Sequence, residues 1–148
     1  MNPENQGIMY NEKMQDTKKL SPEDIKLIEI ASEHAKRRFK KDFISIGAVL
    51  RTKNGKIYTG INTKYHVRNL STCAEMHAIY SALNDGEDAF DIVVGVRYIP
   101  GNDSFIVVNG CGKCRQLFCY HAPLKIIIDN NGILEVKEAK ELLPFAFT

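Results

Sequence analysis

Thr72-Cys73-Ala74-Glu75-Met76-His77-Ala78-Ile79-Tyr80-Ser81-Ala82-Leu83-Asn84 is the stretch on which the fold turns. Its small and apolar residues fall at Ala74, Ala78, Ile79, Ala82 and Leu83, a period of about 3.6 that predicts a buried amphipathic helix. Cys73 and Glu75 stand in the first turn of that helix. They are two positions apart, yet helical side chains lean toward the N-terminus, so both can converge on an ion beyond the helix end. Cys111-Gly112-Lys113-Cys114 repeats the device at the head of a second predicted helix, which runs to about His121. Its three-residue spacing puts both sulfurs on one side. Two helix ends are thus predicted to face one metal.

Three thiolates leave the fourth position of a tetrahedral zinc open, whereas a fourth protein donor would close it. The positive ends of two helix dipoles offset the excess negative charge of such a trio. Arg115, directly after the last cysteine, is a candidate to tune the metal by hydrogen bonding to sulfur. Glu75, held beside the open position without ligating, has the chemistry of a general acid/base. The alternative is that His77, one turn after Cys73, completes a structural Cys3His site with Cys73, Cys111 and Cys114 and makes a zinc-stabilised module with no catalysis. Cys119 sits at a poor angle for the same metal and reads as a buried thiol.

Working outward, Ser21-Pro22-Glu23-Asp24 is a helix start with an N-cap hydroxyl and proline in the first turn. Ile25, Ile28, Ala31, Ser32, Ala35 and Phe39 mark its buried face. Lys36-Arg37-Arg38 and Lys40-Lys41 complement the dipole at its far end, and no aromatics interleave with them as a base-stacking surface would require. Strands are predicted at 46–51 and 56–60, joined at Asn54-Gly55, then at 92–99, 105–108 and 125–129, with a Glu/Lys-rich helix before Pro144. The order of elements predicts an α/β fold, a three-layer α/β/α sandwich around a mixed sheet of five strands. Apolar runs such as Ile92-Val93-Val94 and Ile126-Ile127-Ile128 suit strands covered on both faces.

At 148 residues the chain has the length of one domain, which buries roughly 70% of its extended-chain surface and needs no staples. Four cysteines without a signal peptide point to a reducing compartment and metal ligation rather than disulfides. No apolar run reaches membrane-spanning length, so a cytoplasmic protein without a membrane partner is expected. A net charge of +2 steers toward no polyanion, and no nucleic-acid partner is expected. Residues 1–20 are polar and aperiodic and read as a flexible N-terminal segment.

Thr72-Cys73-Ala74-Glu75 together with Cys111-x-x-Cys114-Arg115-Gln116 resembles the zinc signature of the cytidine deaminase superfamily. Ile46-Gly47-Ala48-Val49-Leu50 is similar to the family's first strand, Gly60-Ile61-Asn62 to its substrate loop, and Leu142-Leu143-Pro144-Phe145-Ala146-Phe147 to its terminal motif. The likeness runs over 21–148, which it implies is a zinc-dependent deaminase domain. A cysteine as first ligand in so short a chain resembles the homotetrameric cytidine deaminases and the blasticidin-S deaminases more than the histidine-first nucleic-acid editors. The resemblance implies that Cys73, Cys111 and Cys114 bind Zn2+ and that Glu75 shuttles protons. It further implies that the backbone of Ala74 contacts an aminopyrimidine ring, Asn62 the sugar, and Phe147 the substrate of a neighbouring subunit. The implied reaction replaces the exocyclic amino group of a cytosine-type nucleoside, such as cytidine, deoxycytidine or blasticidin S, by a carbonyl and releases ammonia.

The chain departs from the family pattern around the substrate and not at the metal. Lys64 stands where a glutamate usually grips the ribose, and a cation cannot accept hydroxyl hydrogen bonds. It is read instead as a site for an anionic group on the substrate, such as a sugar carboxylate. Ile44 takes the place of a ring-stacking phenylalanine, with Phe43 beside it as a substitute; Asn109-Gly110 replaces a proline before the second cysteine, and Met76 an arginine after the glutamate.

Overall fold

Ser21 opens the first helix as the sequence predicts: its hydroxyl accepts a hydrogen bond from the Asp24 amide at 3.1 Å, with Pro22 in the first turn. That helix, α1, spans Pro22–Arg38 in the computed structural model, which describes residues 16–148. It buries Leu27, Ile28, Ala31, Ser32, His34 and Ala35, so the apolar face is rotated slightly from the predicted one and takes in Leu27 and His34. At its C-terminal end Lys36 pairs with Asp103 at 2.8 Å, a solvated contact rather than part of a bare basic patch.

Strands β1 (Ile46–Thr52) and β2 (Ile57–Ile61) form the hairpin signalled by Asn54-Gly55. Helix α2 (Ala74–Asn84) follows, then β3 (Phe90–Ile99), β4 (Ser104–Val108), α3 (Gly112–Tyr120), β5 (Lys125–Asn130), β6 (Ile133–Glu138) and α4 (Ala139–Leu142). The strands lie in the order β2-β1-β3-β5-β6. The long β3 takes β5 in parallel along its first half, at Ile92 and Val93, and β4 antiparallel along its second, from Gly95 to Ile99. All other pairings are antiparallel, so the sheet is mixed, as expected.

The sheet has six strands rather than the five counted in the sequence. The additional one is β6, in a stretch read as a Glu/Lys-rich helix, of which only the short α4 is helical. A tight turn with positive φ at Asn131 and Gly132 returns the chain antiparallel along β5, from Lys125↔Glu138 to Asn130↔Ile133. In this strand Leu134 and Val136 pack into the layer under α1, while Glu135 is buried against Lys19 and Asn130 and only Glu138 is exposed. Residues 16–20, counted from sequence with the flexible segment, are tied to it: Asp16 bridges to Ile133, Lys19 pairs with Glu135 at 2.9 Å, and Leu20 is buried. The rest of that predicted segment, 1–15, lies outside the described residues.

Two hydrophobic layers flank the sheet. On one side α1 packs over Val49, Ile92, Val94, Val96, Ile127 and Leu134. On the other, α2, α3 and α4 pack over Ala48, Leu50, Val93, Ile126 and Ile128. This is the predicted α/β/α sandwich, and it brings α2 and α3 onto the same face. Gly60 lets α2 seat closely on β2, since a Cβ there would fall 2.2 Å from the Ala74 carbonyl oxygen. Among the described residues no helix is long and apolar enough to cross a membrane.

Candidate active site

Cysteine occupies the N-cap of both α2 and α3. Cys73 and Cys111 have the extended backbone of N-cap residues, yet neither side chain makes a capping hydrogen bond. A Ser, Thr, Asp or Asn would stabilise each helix there by about 1 kcal/mol. The sequence forgoes this at two helices, and the uncapped thiols point to each other. The Cys73 and Cys111 sulfurs are 3.5 Å apart, and with Cys114, on the first turn of α3, all three lie within 4.8 Å of one another. Tetrahedral zinc with bonds of about 2.3 Å to sulfur sets neighbouring sulfurs roughly 3.8 Å apart, so the trio fits such an ion without rearrangement of the helices. Soft thiolate donors are also the set that favours zinc over hard cations.

The trio is graded from inside to outside: Cys114 is buried, Cys73 half-buried and Cys111 exposed. Without metal, hydrogen bonding by Cys114, joined by Cys111 and the Lys113 charge, pulls the Cys73 thiol down to about 6 against the opposing effect of burial. The same contact, with burial, pushes the Cys114 thiol up. One sulfur of the trio is therefore ready to carry negative charge near neutral pH.

Glu75 lies beneath these sulfurs, 5% exposed, its Oε2 at 4.0 Å from the Cys114 sulfur. Burial raises its carboxyl to about 7; a hydrogen bond from its own backbone amide opposes the shift and the nearby Cys73 charge adds to it. A carboxyl near 7 can both take and give a proton at neutral pH. Gly95 makes its room: a Cβ on this residue in the middle of β3 would stand 2.6 Å from Glu75 Oε1. The sequence reading missed Gly95, although a glycine inside the run Ile92-Val93-Val94-Gly95-Val96 signals a close approach.

His77 does not complete a Cys3His site. It is exposed, its Nδ1 accepts from the Ile61 amide at 3.2 Å, and it stays outside the sulfur group. Arg115 does not reach sulfur either: Nε donates to the Gly110 carbonyl at 2.7 Å and Nη1 to the Leu142 carbonyl at 3.4 Å. Cys119 is half-buried against the α2/α3 layer, its thiol donating to the Ala139 carbonyl at 3.6 Å.

The remaining predicted residues fall into two groups. Asn62 is buried, and its Oδ1 accepts from the amides of Ser45 and Ile46 at 2.9 and 2.8 Å, which fixes the start of β1 and directs the donor NH2 elsewhere. Thr63 bridges to Thr72, its amide donating to the Thr72 carbonyl at 3.0 Å, so the segment after Asn62 returns to the residue before Cys73. Lys64 is exposed on the loop so closed and has no ion-pair partner among the described residues. Phe43 packs edge-on to Tyr65 of that loop at 5.1 Å. Ala74 is fully buried as the first residue of α2. Phe147 is 78% exposed at the C-terminus, away from the packed core.

An α/β/α sandwich that seats three thiols at two helix ends, with a buried carboxyl of near-neutral pKa against them, defines a metal-dependent enzyme centre. Residues 21–128 match the model of the cytidine and deoxycytidylate deaminase zinc-binding region, and the chain belongs to this family. It is 34% identical to the blasticidin-S deaminase of Bacillus cereus over 134 residues, covering 87% of this chain and 95% of that one. The cytidine deaminase of Sporosarcina psychrophila is 31% identical over 106 residues, 70% of this chain and 74% of the relative. Among solved structures, the cytidine deaminase of Burkholderia pseudomallei superposes with a TM-score of 0.68 at 31% identity, covering 83% of this chain and 98% of that one. The chain is thus a deaminase built on the cytidine deaminase fold.

Proposed function

We propose that the protein hydrolyses the exocyclic amino group of a cytosine-type nucleoside to a carbonyl, releasing ammonia, with cytidine, deoxycytidine and blasticidin S as the substrate class. The observation that carries this reading is the buried Glu75 carboxyl, its Oε2 4.0 Å from the Cys114 sulfur, against three sulfurs that lie within 4.8 Å of one another. Cys73, Cys111 and Cys114 hold zinc, and zinc there supplies the Lewis acidity that makes water a nucleophile near neutral pH. The Glu75 carboxylate would take a proton from the attacking water and give it to the ring nitrogen as the oxygen bonds to the amino-bearing carbon, then pass the proton of that added hydroxyl to the amino group as the C–N bond breaks and ammonia leaves. The backbone at Ala74, at the start of α2, where amides have no partner within the helix, orients the pyrimidine edge. Asn62 offers its NH2 to the sugar, since its carbonyl oxygen is already occupied by Ser45 and Ile46. Lys64 meets an anionic substituent on the sugar side.

Phe147 covers the substrate of a neighbouring subunit in a homotetramer, which accounts for its exposure in the single chain. The enzyme acts on small molecules in the cytoplasm, independently of nucleic acid and membrane, and 21–148 forms its catalytic domain. Purified protein offered cytidine, deoxycytidine and blasticidin S, followed by ammonia release, tests the reading: turnover of at least one is expected, and turnover of none would remove it. Lys64→Ala should lower kcat/KM selectively for substrates that carry a carboxylate; equal values for all substrates would dismiss the role of Lys64. Sedimentation should give a particle of four 16.7 kDa chains.

A further inference from the structure

Gln116 lies on α3 two residues past Cys114, and its side-chain amide closes on the main chain of Phe147. Nε2 donates to the Phe147 carbonyl at 2.8 Å, and Oε1 accepts from the Phe147 amide at 3.0 Å. One position earlier, Arg115 donates to the Leu142 carbonyl. The C-terminal segment is therefore tied at both ends, Leu142 and Phe147, to the helix that presents Cys111 and Cys114. A side-chain amide that pairs with both polar groups of one residue fixes backbone direction as well as position. Between the ties Phe145 takes a φ of +55°, and the two rings of the segment are left uncovered: Phe145 is fully exposed and Phe147 largely so. Three hydrogen bonds thus hold in one pose a segment whose aromatic rings are left largely exposed by the described residues.

We propose that Gln116 is a positioning residue for the deamination: its amide sets the pose in which Phe147 is presented to the substrate. The proposal rests on the role given to Phe147 above and adds the residue that enforces it. Released from Gln116, the segment samples many conformations and must be reordered each time substrate binds, a cost that falls on binding. Proton transfer is untouched, since the Gln116 amide is taken up by the Phe147 main chain and, among the described residues, makes no hydrogen bond to the sulfurs or to Glu75.

The test compares wild type, Gln116→Ala, Gln116→Glu, a chain ending at Ala146, and that shortened chain carrying Gln116→Ala. Each is measured for KM, kcat, metal content and exchange of the Phe147 amide where present. Gln116→Ala should raise KM about tenfold, with kcat and metal content as in wild type, and should speed exchange at Phe147. Gln116→Glu keeps the acceptor for the Phe147 amide but loses the donor to its carbonyl, and should fall between. In the shortened chain Gln116→Ala should add nothing. Faster exchange with unchanged KM would make the contact purely structural and overturn the proposal, as would an additive effect in the shortened chain. Turnover by wild type and Gln116→Ala with the same KM removes this proposal and leaves the deaminase reading standing; no turnover of any cytosine nucleoside by wild type removes both.

Discussion

Glu75 lies in a slot that Gly95 leaves open, and this makes a sharp prediction at the scale of one methyl group. Gly95→Ala would place a carbon 2.6 Å from Glu75 Oε1 and force the carboxyl to shift. Displacements of this size cost about 100-fold in rate, so kcat should fall by about that factor while the three sulfurs keep their metal; ammonia release and metal analysis on one sample check both. The raised carboxyl also carries a stability signature in the metal-free protein. From the ordinary value of 4.5 to about 7, the folded state holds a proton that the unfolded state has released, so stability falls as pH rises through this window, by about 3 kcal/mol in all. Metal-free Glu75→Gln should therefore be more stable than metal-free wild type at pH 8, with the gap closing below pH 5. Urea titrations at the two pH values measure it, and an equal gap at both would show that the carboxyl is not raised. That Cys73, Cys111, Cys114 and Glu75 would come together was legible because residue type and short spacing encode it locally. Gly95 was not read, since its use depends on what a distant helix brings to it.

At the scale of elements, the placement of α2 rests on its contact with β2. A Cβ at position 60 would stand 2.2 Å from the Ala74 carbonyl and lift the end of the helix that carries Cys73. Gly60→Ala should cost about 1–3 kcal/mol and weaken metal retention as well, read by denaturant midpoint and by competition with a chelator. Stability lost with unchanged metal affinity would mean that α2 can shift without moving its sulfur. Most elements were legible from periodicity and turn residues, and β1, β2 and the start of α1 follow their signals closely. The failure at β6 is instructive, because Asn131-Gly132 carries the same hairpin signal as Asn54-Gly55. The charges of Glu135, Lys137, Glu138, Lys140 and Glu141 gave the stretch a helical composition, while the alternation of Leu134 and Val136 with Glu135 and Lys137 is the period of a strand.

For the whole molecule, one sheet with helices on both faces brings together two cysteine-bearing helix ends that are 38 residues apart in sequence, counted from Cys73 to Cys111. The sandwich was legible because hydrophobic runs and helix periods add up to few possible layerings. The long-range ties were not: Gln116 with Phe147, Arg115 with Leu142, and the Asn62 carbonyl with the amides of β1 are choices among many polar partners that no local window contains. Two of them tie the C-terminal segment to α3, the helix that carries Cys111 and Cys114. The central claim is that the sulfurs hold the metal and Glu75 moves the proton, two separable duties in one site. Zinc content and ammonia release from a cytosine nucleoside, measured on a single preparation of Glu75→Gln, test it most directly. The account predicts one zinc per chain, as in wild type, with turnover lower by about 100- to 10,000-fold. Turnover at the wild-type rate, or a protein that has lost its zinc, would contradict it.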